Sequence, residues 1–226
     1  MSIGKNLEKI EEKIRVKSEM VGRGPGEITL VAVTKTVEVD RMEEAIAAGV
    51  NIIGESRVQE AKEKYGQVKS RVIWHLVGHL QRNKAKDAVK IFDLIHSVDS
   101  AKLAKEIDKQ ARKIGKIQKI LIEMNVSGEE SKYGLTPEEV IAFLQELSVL
   151  PNIRIKGLMT MAPLYENPED SRPHFRKLKE LGKEVKARNI ENVEMVYLSM
   201  GMSNDFEVAI EEGSNMVRIG RAIFGP

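Results

Sequence analysis

The order of apolar runs along the chain predicts an α/β protein, a single (β/α)8 TIM-type barrel domain over residues 1–226 with an additional N-terminal helix. Three observations carry this. Eight short apolar runs recur, each after the first preceded by a segment of helical periodicity, and such alternation means a parallel sheet with right-handed crossovers. Eight such units in about 200 residues favour closure into a barrel over an open sheet. No Pro/Ser-rich linker or shift in composition divides the chain.

Ile3, Leu7, Ile10 and Ile14 recur at helical spacing among Glu and Lys, so residues 3–20 form an amphipathic helix whose apolar stripe docks on the domain. Gly22-Arg23-Gly24-Pro25-Gly26 stops it. The G-x-G spacing there follows a helix and precedes a strand, the reverse of a dinucleotide-binding loop, and marks a linker. Ile28 and the unbroken run Leu30 to Val33 form the first strand, buried on both faces and ending at Thr34-Lys35. Asp40 caps a helix carrying Met42, Ala45 and Ile46 that Gly49 stops, and Val50–Ile53 is the second strand. A helix over 60–68 leads to a strand at Val72–Val77, and a helix over 83–90 to a strand at Phe92–Val98. Ala101–Ile114 is helical and Ile117–Val126 is the fifth strand. Thr136-Pro137-Glu138-Glu139 starts the next helix, with a capping Thr, Pro at the first position and Glu at the third. That helix runs to Leu150 before a strand at Ile153–Met161. A long helix over 173–189, a strand at Val193–Met200, a short helix at Asp205–Glu212 and a strand at Met216–Ile219 complete the series.

Composition narrows the function. With 36 basic and 34 acidic residues the net charge is +2, which lacks the basic bias of a nucleic-acid-binding domain. One Trp and four Tyr offer little for stacking bases. The chain has no cysteine, so disulfides, thiolate nucleophiles and iron–sulfur clusters are excluded. Met1 to Asn6 opens a charged segment without the apolar core of a signal peptide. No apolar run approaches the roughly 20 residues of a membrane span. A cytoplasmic protein without nucleic-acid or membrane partners is expected.

In a barrel, the residues after each strand converge on one rim, where the fold places its chemistry. They are Lys35 after the first strand, Glu55 and Ser56 after the second, and His79, Gln81 and Asn83 after the third. Asn125 and Ser127 follow the fifth, Thr160 closes the sixth, Ser199 to Ser203 follow the seventh, and Arg218 to Arg221 end the eighth. Lys35 is either a solvated lysine or a reactive amine, because burial in a barrel mouth favours the neutral form that adds to carbonyls. The loops after strands seven and eight are the usual phosphate site of such barrels. There Ser199, Ser203 and the amides of Gly201 and Gly220 are either ordinary turn residues or a phosphate cup. A lysine beside a phosphate cup suits pyridoxal 5′-phosphate (PLP). Arg218, projecting inward, would then meet the pyridine ring, where a donor-only cation keeps the ring nitrogen unprotonated and weakens the electron sink. Asp205 is expected to cap the following helix. His75 and His79 lie four apart on a strand and its loop, too far apart to chelate, and His96 and His174 have no companions, so no metal site is expected.

Six ordered blocks resemble the pyridoxal phosphate homeostasis protein family. They are Leu30–Lys35, Gly54–Glu60, Trp74–Lys84, Gly157–Met161, Ser199–Asp205 and Val217–Gly225. The resemblance implies a barrel like the N-terminal domain of alanine racemase, with PLP on Lys35. It implies phosphate contacts from Ser199 or Ser203 and from the amides of Gly220 and Arg221, and it sets Arg218 beside the pyridine nitrogen. Ser56 stands where the family usually has Asn, and Arg221 where it usually has Thr or Ser. Ser56 and Arg221 remain in the cofactor-binding set that the resemblance implies; whether Ser56 replaces the usual Asn contact is left open, and Arg221 keeps its amide contact but lacks the hydroxyl one. A role in PLP homeostasis, with PLP held as a Schiff base, is implied without established turnover; PLP-requiring apoenzymes are the partners it suggests. The competing reading is an amino-acid racemase, which needs a base on each face of the substrate carbon, and Lys35 supplies one. Tyr133 and Tyr165 are rim candidates for the second. Racemases place that tyrosine on an extra β-domain that also dimerises; none follows strand eight, so a monomer is expected. A barrel binding another phosphorylated metabolite is the third reading.

Overall fold

A computed structural model gives the structure of the protein and describes residues 2–129 and 132–225. Helix α1 (Ile3–Met20) precedes strand β1 (Thr29–Val33), followed by α2 (Val39–Ala47), β2 (Ile52–Glu55), α3 (Val58–Tyr65) and β3 (Ile73–Leu76). Next come α4 (Ala85–Ile91), β4 (Leu94–Val98), α5 (Ala101–Lys113), β5 (Gln118–Glu123), α6 (Val140–Leu147) and β6 (Ile153–Met159). The series ends with α7 (Arg172–Ala187), β7 (Val193–Ser199), α8 (Phe206–Glu211), β8 (Met216–Ile219) and the single turn α9 (Arg221–Phe224). The strands close in sequence order into an eight-stranded parallel barrel, with β8 returning to β1 in the register Thr29↔Met216 to Ala32↔Ile219.

Burial explains why the strands read as unbroken apolar runs. Val31, Val77, Leu94, Leu121, Met159 and Met216 form a small apolar cluster inside the barrel. Alternate residues such as Ala32, Ile53, Leu76, Ile95 and Ile120 join the larger core between sheet and helices. Strand faces in a doubly covered sheet are both dry, which removes the polar alternation of a half-exposed strand.

Helix α1 docks as its stripe predicts, with Ile3, Leu7, Ile10 and Ile14 buried. Full burial of four such side chains contributes about 6–12 kcal/mol as an upper estimate. Ser2 accepts the Lys5 N–H at the helix start, and α1 packs on α8, α9 and α2. Lys13 and Lys17 pair with Glu207 and Glu211 of α8.

Element ends differ from the sequence expectations by a few residues. Strand β2 continues through Gly54 and Glu55, because Gly54 serves packing rather than termination. A Cβ there would approach Val31 Cγ1 to 2.9 Å inside the barrel. The Thr136–Glu139 capping box forms as predicted, but it opens a 3-10 turn at Pro137–Glu139 before α6, which ends at Leu147. The Gly22–Gly26 segment is a turn followed by a short 3-10 helix at Pro25–Glu27, not a ligand loop between strand and helix. Among the described residues no helix is long and apolar enough to cross a membrane.

Candidate cofactor site at the barrel rim

A cavity of about 350 Å³ opens at the C-terminal ends of β1, β2 and β8 and the loops after β6 and β7. Six of the seven residues predicted to bind the cofactor line it: Lys35, Ser56, Ser203, Arg218, Gly220 and Arg221. Ser199 does not. It is fully buried below the cavity, where its Oγ accepts from Arg218 Nη1 at 2.5 Å.

Lys35 is exposed at the mouth, the more solvated of the two placements that the sequence left open. Strand β1 has ended at Val33, and Thr34 turns inward in its place, its Oγ1 donating to the buried Glu55 at 2.6 Å. Lys64 fastens this turn from α3. Its ammonium donates to Thr34 O at 2.8 Å, Glu55 Oε1 at 2.9 Å and Glu60 Oε1 at 2.6 Å. Glu60 also accepts the Thr36 N–H, and Thr36 sits at a φ of 61°, which β-branched residues seldom adopt. Lys35 is therefore an exposed cation on a stiff, buried base. Burial pushes the Glu55 carboxyl above its ordinary range, against the pull of Thr34 and Lys64.

The floor is polar and dry. Arg218 is 3% exposed, and its second guanidinium nitrogen donates to Thr160 O at 2.9 Å. Burial lowers its pKa to about 10, so it remains a cation at neutral pH. Beneath it runs a chain the sequence did not disclose. Ser199 Oγ lies 3.1 Å from His96 Nδ1, and His96 Nε2 lies 3.1 Å from His75 Nδ1. Burial, with the charge of Lys119, brings His75 down to about 3, and burial with His75 and Arg218 holds His96 well below its ordinary value. Both rings are thus neutral. Arg218 donates to Ser199, so the polarity assigned to the rest runs Ser199 O–H to His96 Nδ1 and His96 Nε2–H to His75 Nδ1. His96 has companions after all, contributed by β3 and β7 rather than by near neighbours. His174 likewise has one, with its Nε2 2.9 Å from Tyr165 Oη.

The loop after β7 is held by shape. Gly201 has φ 94°, and a Cβ there would stand 2.6 Å from Ala209 Cβ and 2.9 Å from Phe206 Cα. Asp205 occupies the N-cap of α8, yet its carboxylate turns back to accept the Met202 N–H at 2.7 Å instead of capping the helix. That bond closes the turn carrying Ser203, whose Oγ accepts from the Ala222 N–H at 3.4 Å. Arg221 begins α9, where the first amides have no acceptor within the helix. Of the two rim tyrosines, Tyr165 lines the cavity, whereas Tyr133 stacks on His79 with centroids 3.9 Å apart.

Lys35, Arg218 and Arg221 against Asp205 make a cationic cavity with a serine hydroxyl and helix-start amides on one wall. That donor set fits a phosphate ester carrying an aldehyde. Comparison with known proteins agrees with the fold. A family model described as alanine racemase, N-terminal domain, matches residues 6–226. A protein of Aquifex aeolicus (strain VF5) named pyridoxal phosphate homeostasis protein is 45% identical over 226 residues, covering 100% of this chain and 98% of its own length. The chain belongs to the pyridoxal phosphate homeostasis protein family. A family relative of the same name in Mus musculus is 36% identical over 241 residues, covering 100% of this chain and 87% of its own length. The solved structure of PipY of Synechococcus elongatus PCC7942 with PLP bound is similar to this homeostasis-family chain at a TM-score of 0.85 and 33% identity, covering 99% of this chain and 100% of that one. Alanine racemase of Clostridium difficile 630 shares the fold alone, at 18% identity and a TM-score of 0.78 over 100% of this chain and 56% of the racemase.

Proposed function

We propose that the chain binds PLP in the rim cavity and serves intracellular PLP homeostasis, with Lys35 as the amine that carries the cofactor in Schiff-base linkage. The observation that supports this most directly is the meeting of Lys35, Ser203, Gly220, Arg221 and Arg218 on one cavity of about 350 Å³. When bound, PLP would supply an electrophilic aldehyde and an aromatic ring able to accept electron density. The residues around it favour holding over turnover. Ser203 and the amides of Gly220 and Arg221 would hold the phosphate, with the Arg221 side chain adding charge at the rim. Arg218, fixed by Ser199 and Thr160, presents only donors and would leave the ring nitrogen of a bound cofactor unprotonated. Ser56 lines the cavity with a short hydroxyl.

Purified protein incubated with PLP is expected to turn yellow and, after borohydride reduction, to yield a pyridoxylated peptide containing Lys35. A colourless protein that ignores PLP sinks the proposal. PLP-requiring apoenzymes are the proposed recipients, tested by recovery of an apo-aminotransferase mixed with the loaded protein.

The racemase reading draws support from Tyr165, which lines the same cavity as Lys35. Chiral analysis after incubation with L-alanine separates the two. No racemisation is expected, and turnover abolished by both Lys35→Ala and Tyr165→Phe would establish the enzyme instead.

A further inference from the structure

The cofactor cavity uses one side of the rim, built from β1, β2, β8 and the loops after β6 and β7. The ends of β3, β4 and β5 carry a second group of functional side chains that it does not use. His79 follows β3, Asp99 follows β4 directly, and Glu123 is the last residue of β5. One ligand atom from each lies within 4.8 Å of the other two. His79 Nδ1 stands 3.7 Å from Asp99 Oδ2.

Proximity of acidic groups is by itself common. Glu123 is what distinguishes this cluster. It is 3% exposed, and its Oε2 has no hydrogen-bond partner among the described residues. A buried carboxylate oxygen without a donor is costly, and a cation between it and its neighbours removes the cost. His79 is held in place. The His79 ring is stacked on Tyr133 at 16°, and the preceding Gly78 is tied to β4 through Ser97 Oγ, which donates to Gly78 O at 2.7 Å. The segment bearing Tyr133 is itself pinned to β5. Leu135 N donates to Glu123 O at 2.9 Å, and Gly134, at φ 112°, lies where a Cβ would meet Asn125 N at 2.7 Å.

We infer that His79, Asp99 and Glu123 form a binding site for one divalent first-row transition ion. One imidazole and two carboxylates are a mixed nitrogen–oxygen set that suits Zn²⁺ or Mn²⁺ better than Ca²⁺ or Mg²⁺. Three protein ligands leave at least one position for water or an anionic group. A cavity of about 230 Å³ bordered by Glu123, Lys132, Tyr133 and Met161 adjoins it, and Met161 also borders the cofactor cavity. The two sites therefore share a wall but no ligand. Sequence spacing concealed the set, since its members come from three separate strand ends.

The inference is tested on the full chain after EDTA treatment and dialysis, by calorimetric titration with Zn²⁺ and by the electron paramagnetic resonance of added Mn²⁺. One equivalent is expected to bind. Glu123→Gln keeps the shape and removes a buried charge, so the variant should fold, as circular dichroism will check. It and Asp99→Asn should each weaken binding at least about tenfold, the scale of losing even an indirect contributor to a metal site. Absence of stoichiometric binding by wild-type protein overturns the inference. So does binding that survives Glu123→Gln and Asp99→Asn unchanged, which would assign the ion to groups outside this cluster.

Discussion

At the scale of single residues, the site rests on groups that never reach the ligand cavity. Lys64 is the clearest. Its ammonium is the partner of the fully buried Glu55, and removing one member of a buried ion pair strands the other. Lys64→Met is expected to cost about 3–5 kcal/mol in urea denaturation. It should also weaken PLP retention, because Thr34 and Thr36 flank Lys35. The neutral histidines make a pH prediction. In the unfolded chain each ring takes a proton near pH 6.5, whereas folded His75 stays neutral down to about 3. Between those values the unfolded state binds more protons, so stability falls on acidification by about 1.4 kcal/mol per pH unit for each ring. His96 acts with the same sign. Denaturation midpoints measured from pH 7 to 4 will show the slope, and His75→Gln should reduce it. Arg218→Glu is expected to change the absorption of bound PLP more than phosphate affinity; an unchanged spectrum would remove Arg218 from the ring. Lys35, Ser203 and Arg218 were legible in the sequence because strand ends in a barrel share a rim. The His75–His96–Ser199 chain was not, since its members are brought together only by closure and carry no local spacing signal.

At the scale of elements, loop shape limits the site. Gly201→Ala meets both a φ of 94° and atoms of Phe206 and Ala209, so the turn bearing Ser203 must shift. The expected outcome is a loss of PLP affinity larger than any loss of secondary structure, read by absorbance titration beside circular dichroism. A stability effect alone belongs to the capping box. Thr136→Ala should cost about 0.5–2 kcal/mol without altering PLP binding. Strands were readable from apolar runs because both faces are dry. Their ends were not, because Gly54 and Gly201 look alike as letters, one filling a crowded interior and the other a left-handed turn.

At the scale of the whole molecule, the barrel joins its first strand to its eighth. Residue 29 pairs with residue 216, and α1 packs on α8, α9 and α2 around that seam. Asn6 Nδ2 donates to Ile223 O at 2.9 Å across it. During synthesis α1 leaves the ribosome well before α8 and α9, two of the surfaces it covers. Its four apolar residues must therefore wait, exposed, while nearly the whole barrel is translated. Hydrogen exchange on a chain truncated after residue 200 should find α1 unprotected while the amides of β3 to β6 exchange more slowly. Protection of α1 in that fragment would mean that α2 alone can hold it. Helix α1, made before the helices it packs on, is thus expected to dock late and to be the part of the folding chain most prone to aggregation.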